Sequence, residues 1–199
     1  MEGDSFDYEV LQRAAERVRD VSGLVCEIGT RRGGSLKYIM DGLEGTRKHI
    51  VCIDPYGDIG YNGADNQMNV RYDYTNAMKH ESLPQIYTYA ASKNVNIVFF
   101  NLEDTEFMGR FHDGVPVYDG GKQILNHYAL VFFDGPHDTL SILNEVLFFL
   151  PRSRIGSVFV FDDIQTYQHQ MIEKALYLHG YRLIEVGPKN RKASYEKVQ

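Results

Sequence analysis

Five short apolar runs, Leu24–Ile28, His49–Ile53, Val95–Phe100, Tyr128–Phe133 and Ser157–Phe161, constrain this chain more than any other feature. Each is too short for a helix that buries itself, and none alternates cleanly between apolar and polar residues. Continuous apolar strands have both faces covered, which is the property of a parallel sheet between two layers of helices. Helical periodicity fills the spaces between them. Phe6, Val10, Leu11, Ala14, Ala15 and Val18 share one face of a helix expected over Ser5–Val21, with Asp4 or Ser5 as its cap. Another helix runs through Leu36, Ile39 and Met40 and stops near Gly42–Gly45. Leu140–Leu150 and Met171–His179 read as two more, closed by Pro151 and Gly180. Tyr181–Val186 and Ala193–Val198 complete the strands, and little chain separates them, so an antiparallel final pair is compatible. The fold expected is a single α/β domain over 1–199, Rossmann-like and doubly wound. Its mostly parallel, seven-stranded sheet carries helices on both faces.

The first strand runs into Glu27-Ile28-Gly29-Thr30-Arg31-Arg32-Gly33-Gly34-Ser35. Glycines in such a turn let the backbone approach a ligand closely, and the following helix directs its free N–H groups at an anionic group. The spacing is not Gly-x-Gly-x-x-Gly, which disfavours NAD or FAD. Ser35-Leu36 stands where a nucleotide-triphosphate loop needs Lys followed by Ser or Thr. The second strand ends in Asp54, where a carboxylate can hold both hydroxyls of a ribose. The turn and this aspartate together point to a ligand containing a nucleoside.

Strand four ends in Asp134-Gly135-Pro136-His137-Asp138 and strand five in Asp162-Asp163. Parallel neighbouring strands put these ends on one sheet edge, about 4.8 Å apart per strand. Carboxylates crowded there repel one another unless protons or a cation intervene. A hard divalent ion such as Mg²⁺, held by Asp134, Asp162 and Asp163, is the expected solution, with His137 as proton acceptor. Two long connections, Pro55–Asn94 and Asp104–His127, leave the same edge. The first carries Tyr56, Tyr61, Tyr72 and Tyr74 as candidate substrate-lining residues, and its second half can form helix interrupted at Pro84.

Glu-Ile-Gly-Thr-x-x-Gly-Gly-Ser with an aspartate at the next strand end resembles the first motifs of class I methyltransferases. The later Asp134, His137 and Asp162-Asp163 are similar to the metal-dependent macrocin O-methyltransferase group and to cephalosporin-hydroxylase-like relatives. The likeness covers about Gly23 to Ile164. It departs from the group at Ile155-Gly156, where Gly-Gly is usual, and at Asp138-Thr139, where an aromatic residue is usual. The resemblance implies S-adenosylmethionine as cofactor. Gly29, Thr30, Gly33, Gly34 and Ser35 would cradle its methionine part, with Glu27 near the amino group. Asp54 would serve the ribose, Asp104 the adenine, and Asp134 both cofactor and metal. The reaction implied is Mg²⁺-dependent methylation of a hydroxyl on a small molecule or sugar. A metal-independent methyltransferase, an NAD(P)-dependent oxidoreductase and a non-catalytic methyltransferase-like binding protein are the alternatives.

Bulk properties narrow the partners. The formal charge is −6 and no basic stripe is present, which argues against nucleic acid. The cluster Lys189, Arg191, Lys192 and Lys197 reads as a solvated tail. No apolar run approaches the roughly 20 residues a membrane span needs. The N-terminus lacks the features of a signal peptide. The two cysteines, Cys26 and Cys52, sit in strands as buried thiols, so a cytoplasmic, reducing location is expected. A homodimer through the N-terminal helix or the long loops is compatible with the sequence.

Overall fold

The computed structural model describes residues 1–3 and 5–199. In chain order the elements are α1 (Tyr8–Arg17), β1 (Leu24–Ile28), α2 (Gly34–Gly42), β2 (His49–Ile53), β3 (Gly60–Tyr61), β4 (Val70–Arg71), α3 (Asn76–Lys93), β5 (Asn96–Phe100), α4 (Asp104–Arg110), β6 (Val115–Tyr118), β7 (Lys122–Leu125), β8 (Tyr128–Phe133), α5 (Thr139–Phe149), β9 (Ser153–Phe161), α6 (His169–Leu178), β10 (Tyr181–Val186) and β11 (Ala193–Lys197). The main sheet has seven strands in the order β10-β11-β9-β8-β1-β2-β5. β9, β8, β1, β2 and β5 are mutually parallel, while β11 runs antiparallel to both β9 and β10.

Alternation along each strand divides the core. Val25, Ile50, Cys52, Leu130 and Phe132 pack with α1, α2 and α3 on one face. Cys26, Ile28, Val51, Val131, Phe133 and Phe159 pack with α4, α5 and α6 on the other. A fully buried aliphatic or phenyl side chain contributes roughly 1.5–3 kcal/mol. The two faces explain why β1 and β8 are buried at every position. Cys26 and Cys52 are free and buried. No helix among the described residues is long and apolar enough to cross a membrane.

Local expectations at the first helix and at Pro84 are corrected. The first helix begins at Tyr8, not Ser5, behind Asp7 in the left-handed conformation (φ 60°). Ser5 instead donates its hydroxyl to Asp162, and Asp4 lies outside the described residues. Asp7 faces the chain's other end, where its carboxylate accepts from the Lys189 and Arg191 N–H groups. Helix α3 runs unbroken through Pro84, whose exposed side of the helix leaves the unpaired carbonyl one turn back to water. The long connection after β5 holds α4, opened by a Glu103–Glu106 capping box, and the hairpin β6–β7.

The chain steps outward from β1 to β2 to β5, then returns to place β8 on the other side of β1. This reversal opens a crevice at the carboxyl ends of β1 and β8, where α/β sheets take ligands. Gly29 sits at its floor with φ 87°, and a Cβ there would overlap the Asp134 carbonyl oxygen. Gly29→Ala is expected to destabilise the fold by about 3 kcal/mol or more, through both strain and this overlap. Urea denaturation of the two proteins checks it; an unchanged midpoint would contradict the packing.

Candidate active site

A cavity of about 370 Å³ occupies the crevice. Its lining includes Gly29, Thr30, Gly34, Ser35, Asp54 and Asp104 together with Asp134, His137, Asp162 and Asp163. Of the residues expected from sequence, Glu27 and Gly33 stand just behind this wall. Glu27 is fully buried on β1 and accepts the Ser35 hydroxyl at 2.7 Å. Its second carboxylate oxygen is buried without a hydrogen-bond partner. Burial pushes the Glu27 pKa up to about 8, against the Ser35 hydrogen bond, so at neutral pH the carboxyl is protonated.

Asp54 is also buried, and both of its oxygens are engaged. It accepts the Thr30 and Arg31 N–H groups at 3.0 and 2.7 Å and the Tyr56 N–H at 2.8 Å. This aspartate therefore shapes the glycine turn itself. Burial raises its pKa, against those three donors. Asp104 opens α4, and its carboxyl meets that of Glu145, which is fully buried on α5. Burial and this contact hold Glu145 well above the usual carboxylate range, so the two share a proton. Nothing in the sequence singled out Glu145.

His137 follows β8, with its side chain 12% exposed and Nε2 3.8 Å from Asp134 Oδ1. Its backbone N–H donates to the Asn62 carbonyl at 2.7 Å, which ties it to the tyrosine-bearing connection. Burial lowers its pKa, while the charges of Asp163 and Asp162 push the other way. The net direction leaves a neutral imidazole below the ordinary value of about 6.5. Tyr61, Tyr72 and Tyr74 form a mutual stack with ring centroids 4.7–5.9 Å apart on the cavity wall. Tyr56 also lines the cavity but stands outside the stack; it is 1% exposed and donates its hydroxyl to the Arg31 carbonyl.

The basic cluster expected to be a solvated tail is the largest correction. Lys192 is fully buried and its Nζ lies 2.8 Å from Asp162 Oδ1. Arg191 pairs with Asp163 Oδ1 on the cavity wall. The pairing register explains both. Ala193 sits opposite Phe161 in the antiparallel β11–β9 ladder, so the residues just before Ala193 fall beside those just after Phe161. Burial would raise the Asp162 pKa, but the Lys192 charge and hydrogen bond bring it below the ordinary value. Asp163 moves up, through burial and the neighbouring Asp162 charge.

Asp134, Asp162 and Asp163 do converge, and the Asp134 and Asp162 carboxyls meet within hydrogen-bonding reach. As arranged they do not fit a resident divalent ion, because Lys192 and Arg191 already hold the charges that ion would hold. Among the described residues no group of His, Cys, Asp and Glu has metal-holding geometry.

Strand order, glycine turn and acidic edge together define a methyltransferase-type α/β domain. A methyltransferase-domain family model matches residues 26–164, and the chain belongs to that family. No curated protein matches it by sequence. Among solved structures it is similar to a calicheamicin methyltransferase, with a TM-score of 0.66 at 15% identity over 96% of this chain and 78% of that one. It is similar to the O-methyltransferase from Bacillus cereus in complex with S-adenosylhomocysteine: TM-score 0.61, 13% identity, 98% and 83% of the two chains. TomG from Streptomyces achromogenes, an O-methyltransferase in tomaymycin synthesis, gives 0.61 at 14% identity over 100% and 82%.

Glu27 supplies a stability prediction. Its folded pKa of about 8 lies above its ordinary 4.5, so folding is favoured below 4.5 and loses stability as pH rises from 4.5 through 8. Glu27→Gln removes that loss. The variant is expected to gain roughly 1–4 kcal/mol over wild type between pH 5 and pH 9 in the ligand-free protein, read by thermal melts across pH. A parallel pH dependence in the two proteins would show that Glu27 does not titrate as described.

Proposed function

We propose that this chain is an S-adenosylmethionine-dependent O-methyltransferase acting on a hydroxyl of a small molecule or carbohydrate. One observation carries the reading: a neutral, buried His137 stands among carboxylates in the same cavity that the glycine turn lines. The similarity to methyltransferases of calicheamicin and tomaymycin synthesis supports a small-molecule acceptor.

Bound S-adenosylmethionine supplies a methyl group on a positively charged sulfur. Gly29, Gly33 and Gly34 let the backbone approach its methionine part, with Thr30 and Ser35 beside them. Glu27, protonated while the site is empty, offers its unpartnered oxygen to the amino group and ionises against that charge. Asp54 gives the ribose the lone pairs that Thr30, Arg31 and Tyr56 leave. Asp104, backed by Glu145, is assigned to the adenine. His137 accepts the acceptor's hydroxyl proton. The acceptor oxygen, relieved of its proton, would then take the methyl group, and the cofactor's sulfur would keep the electron pair of the broken carbon–sulfur bond. Positioning and fixed charge account for most of the chain's contribution. Tyr61, Tyr72 and Tyr74 form the wall against which the acceptor lies. The Mg²⁺ implied by the family resemblance enters no step here, since its carboxylates are already countered.

Calorimetric titration with S-adenosylhomocysteine is the first test. Wild type is expected to bind, Asp54→Ala to bind much more weakly, and binding at pH 7 to release up to one proton from Glu27, read from buffers of different ionisation heat. Absence of binding to folded wild type would remove the cofactor assignment. With an acceptor in hand, His137→Gln is expected to lower kcat by about 10²- to 10⁴-fold while sparing cofactor affinity. Because the His137 pKa is lowered, wild-type kcat/KM is expected to hold its plateau down past pH 6.5 and then fall with acid. Turnover of His137→Gln at the wild-type rate would refute the base assignment.

A further inference from the structure

The acidic edge brings three carboxylates, Asp134, Asp162 and Asp163, beside two cations that the chain itself provides. Lys192 is the unusual one. It is 0% exposed, and among the described residues its Nζ pairs with Asp162 Oδ1 at 2.8 Å and the Ser5 hydroxyl at 3.0 Å. The Tyr8 and Phe132 rings wall it in, with centroids 4.5 and 5.6 Å from Nζ. An exposed lysine swings away to water; this one has nowhere to go. Asp162 Oδ1 is also saturated, since the Ser5 hydroxyl and the Asp163 N–H donate to it at 3.2 and 2.8 Å. Asp163 is taken by Arg191.

We propose that Lys192, assisted by Arg191, is a built-in replacement for a divalent cation, so that the site works without a metal. The geometry supports this: the Lys192 ammonium stands on Asp162 and the Arg191 guanidinium on Asp163, the carboxylates from which a divalent ion would be held. A divalent ion added to the same carboxylates would sit against the Lys192 ammonium, where like charges in a buried setting repel strongly. Lys192 does not line the cavity, so it is a positioning residue: it fixes the charge and orientation of Asp162, which in turn faces Asp134. The role in turnover rests on the methyltransferase reading; the occupation of the cation's place does not.

The test separates the two. Mn²⁺ binding is followed by electron paramagnetic resonance on the full chain, as wild type, Lys192→Met, Lys192→Arg and Asp134→Asn. Wild type and Lys192→Arg are expected to bind no stoichiometric Mn²⁺. Lys192→Met is expected to bind it about tenfold more tightly or better, because the competing charge is gone. Methyl transfer by wild type is expected to survive EDTA, and Lys192→Met to require added Mg²⁺. Stoichiometric Mn²⁺ on wild type that Asp134→Asn abolishes would overturn the proposal, and it needs no variant of Lys192 to fold. A folded Lys192→Met protein that binds no Mn²⁺ would overturn it equally. Failure of wild type to bind S-adenosylhomocysteine would sink the functional reading while leaving the Mn²⁺ result decisive for this one.

Discussion

Lys192 and Asp162 form an ion pair from which water is excluded, with 0% and 2% of the two side chains exposed. Removing both charges from water is costly, and one left alone would be more so; breaking such a pair typically costs about 3–5 kcal/mol. The pair joins three distant pieces of chain. Asp162 ends β9, Lys192 precedes β11, and Ser5 of the N-terminal segment hydrogen-bonds both. Asp7 makes a second tie between the same segments through the Lys189 and Arg191 N–H groups. The chain's two ends are thus held where the acidic edge needs them.

The sheet supplies the rest of the geometry. Reversal of strand order at β1 leaves a crevice that no helix fills, and backbone contact between Gly29 and Asp134 sets its floor. Asp54 stabilises the turn above it by accepting N–H groups that the turn would otherwise leave unpaired. The turn is then held ready before any ligand arrives, which lowers the ordering cost of binding.

The connection after β2 acts as a wall. It is fastened by Asn62 to Asp138 at 2.8 Å and by Asp65 to Thr139 at 2.7 Å, both at the start of α5. The Asn62 carbonyl also accepts the His137 N–H. The stacked tyrosines and the histidine therefore share one support.

Local pattern determined much of this protein. Apolar runs buried on both faces required a parallel sheet, and Gly29, Gly33 and Gly34 after the first strand marked the turn that borders the crevice. Strand-end positions brought Asp54, Asp134, His137, Asp162 and Asp163 to one edge, because side-chain direction and strand polarity are local properties. Glu145 was illegible, since a lone carboxylate on an apolar helix declares itself only when α5 packs against α4. So was the helix through Pro84, where tertiary packing of the face bearing Met78, Ile86 and Ala90 outweighs one lost hydrogen bond. Arg191 and Lys192 looked like charges bound for water. Only the antiparallel register of β11 on β9 decided otherwise, by setting a lysine beside an aspartate some thirty residues earlier in the chain. Register is a long-range property: it depends on which strands meet, and no window of sequence contains both.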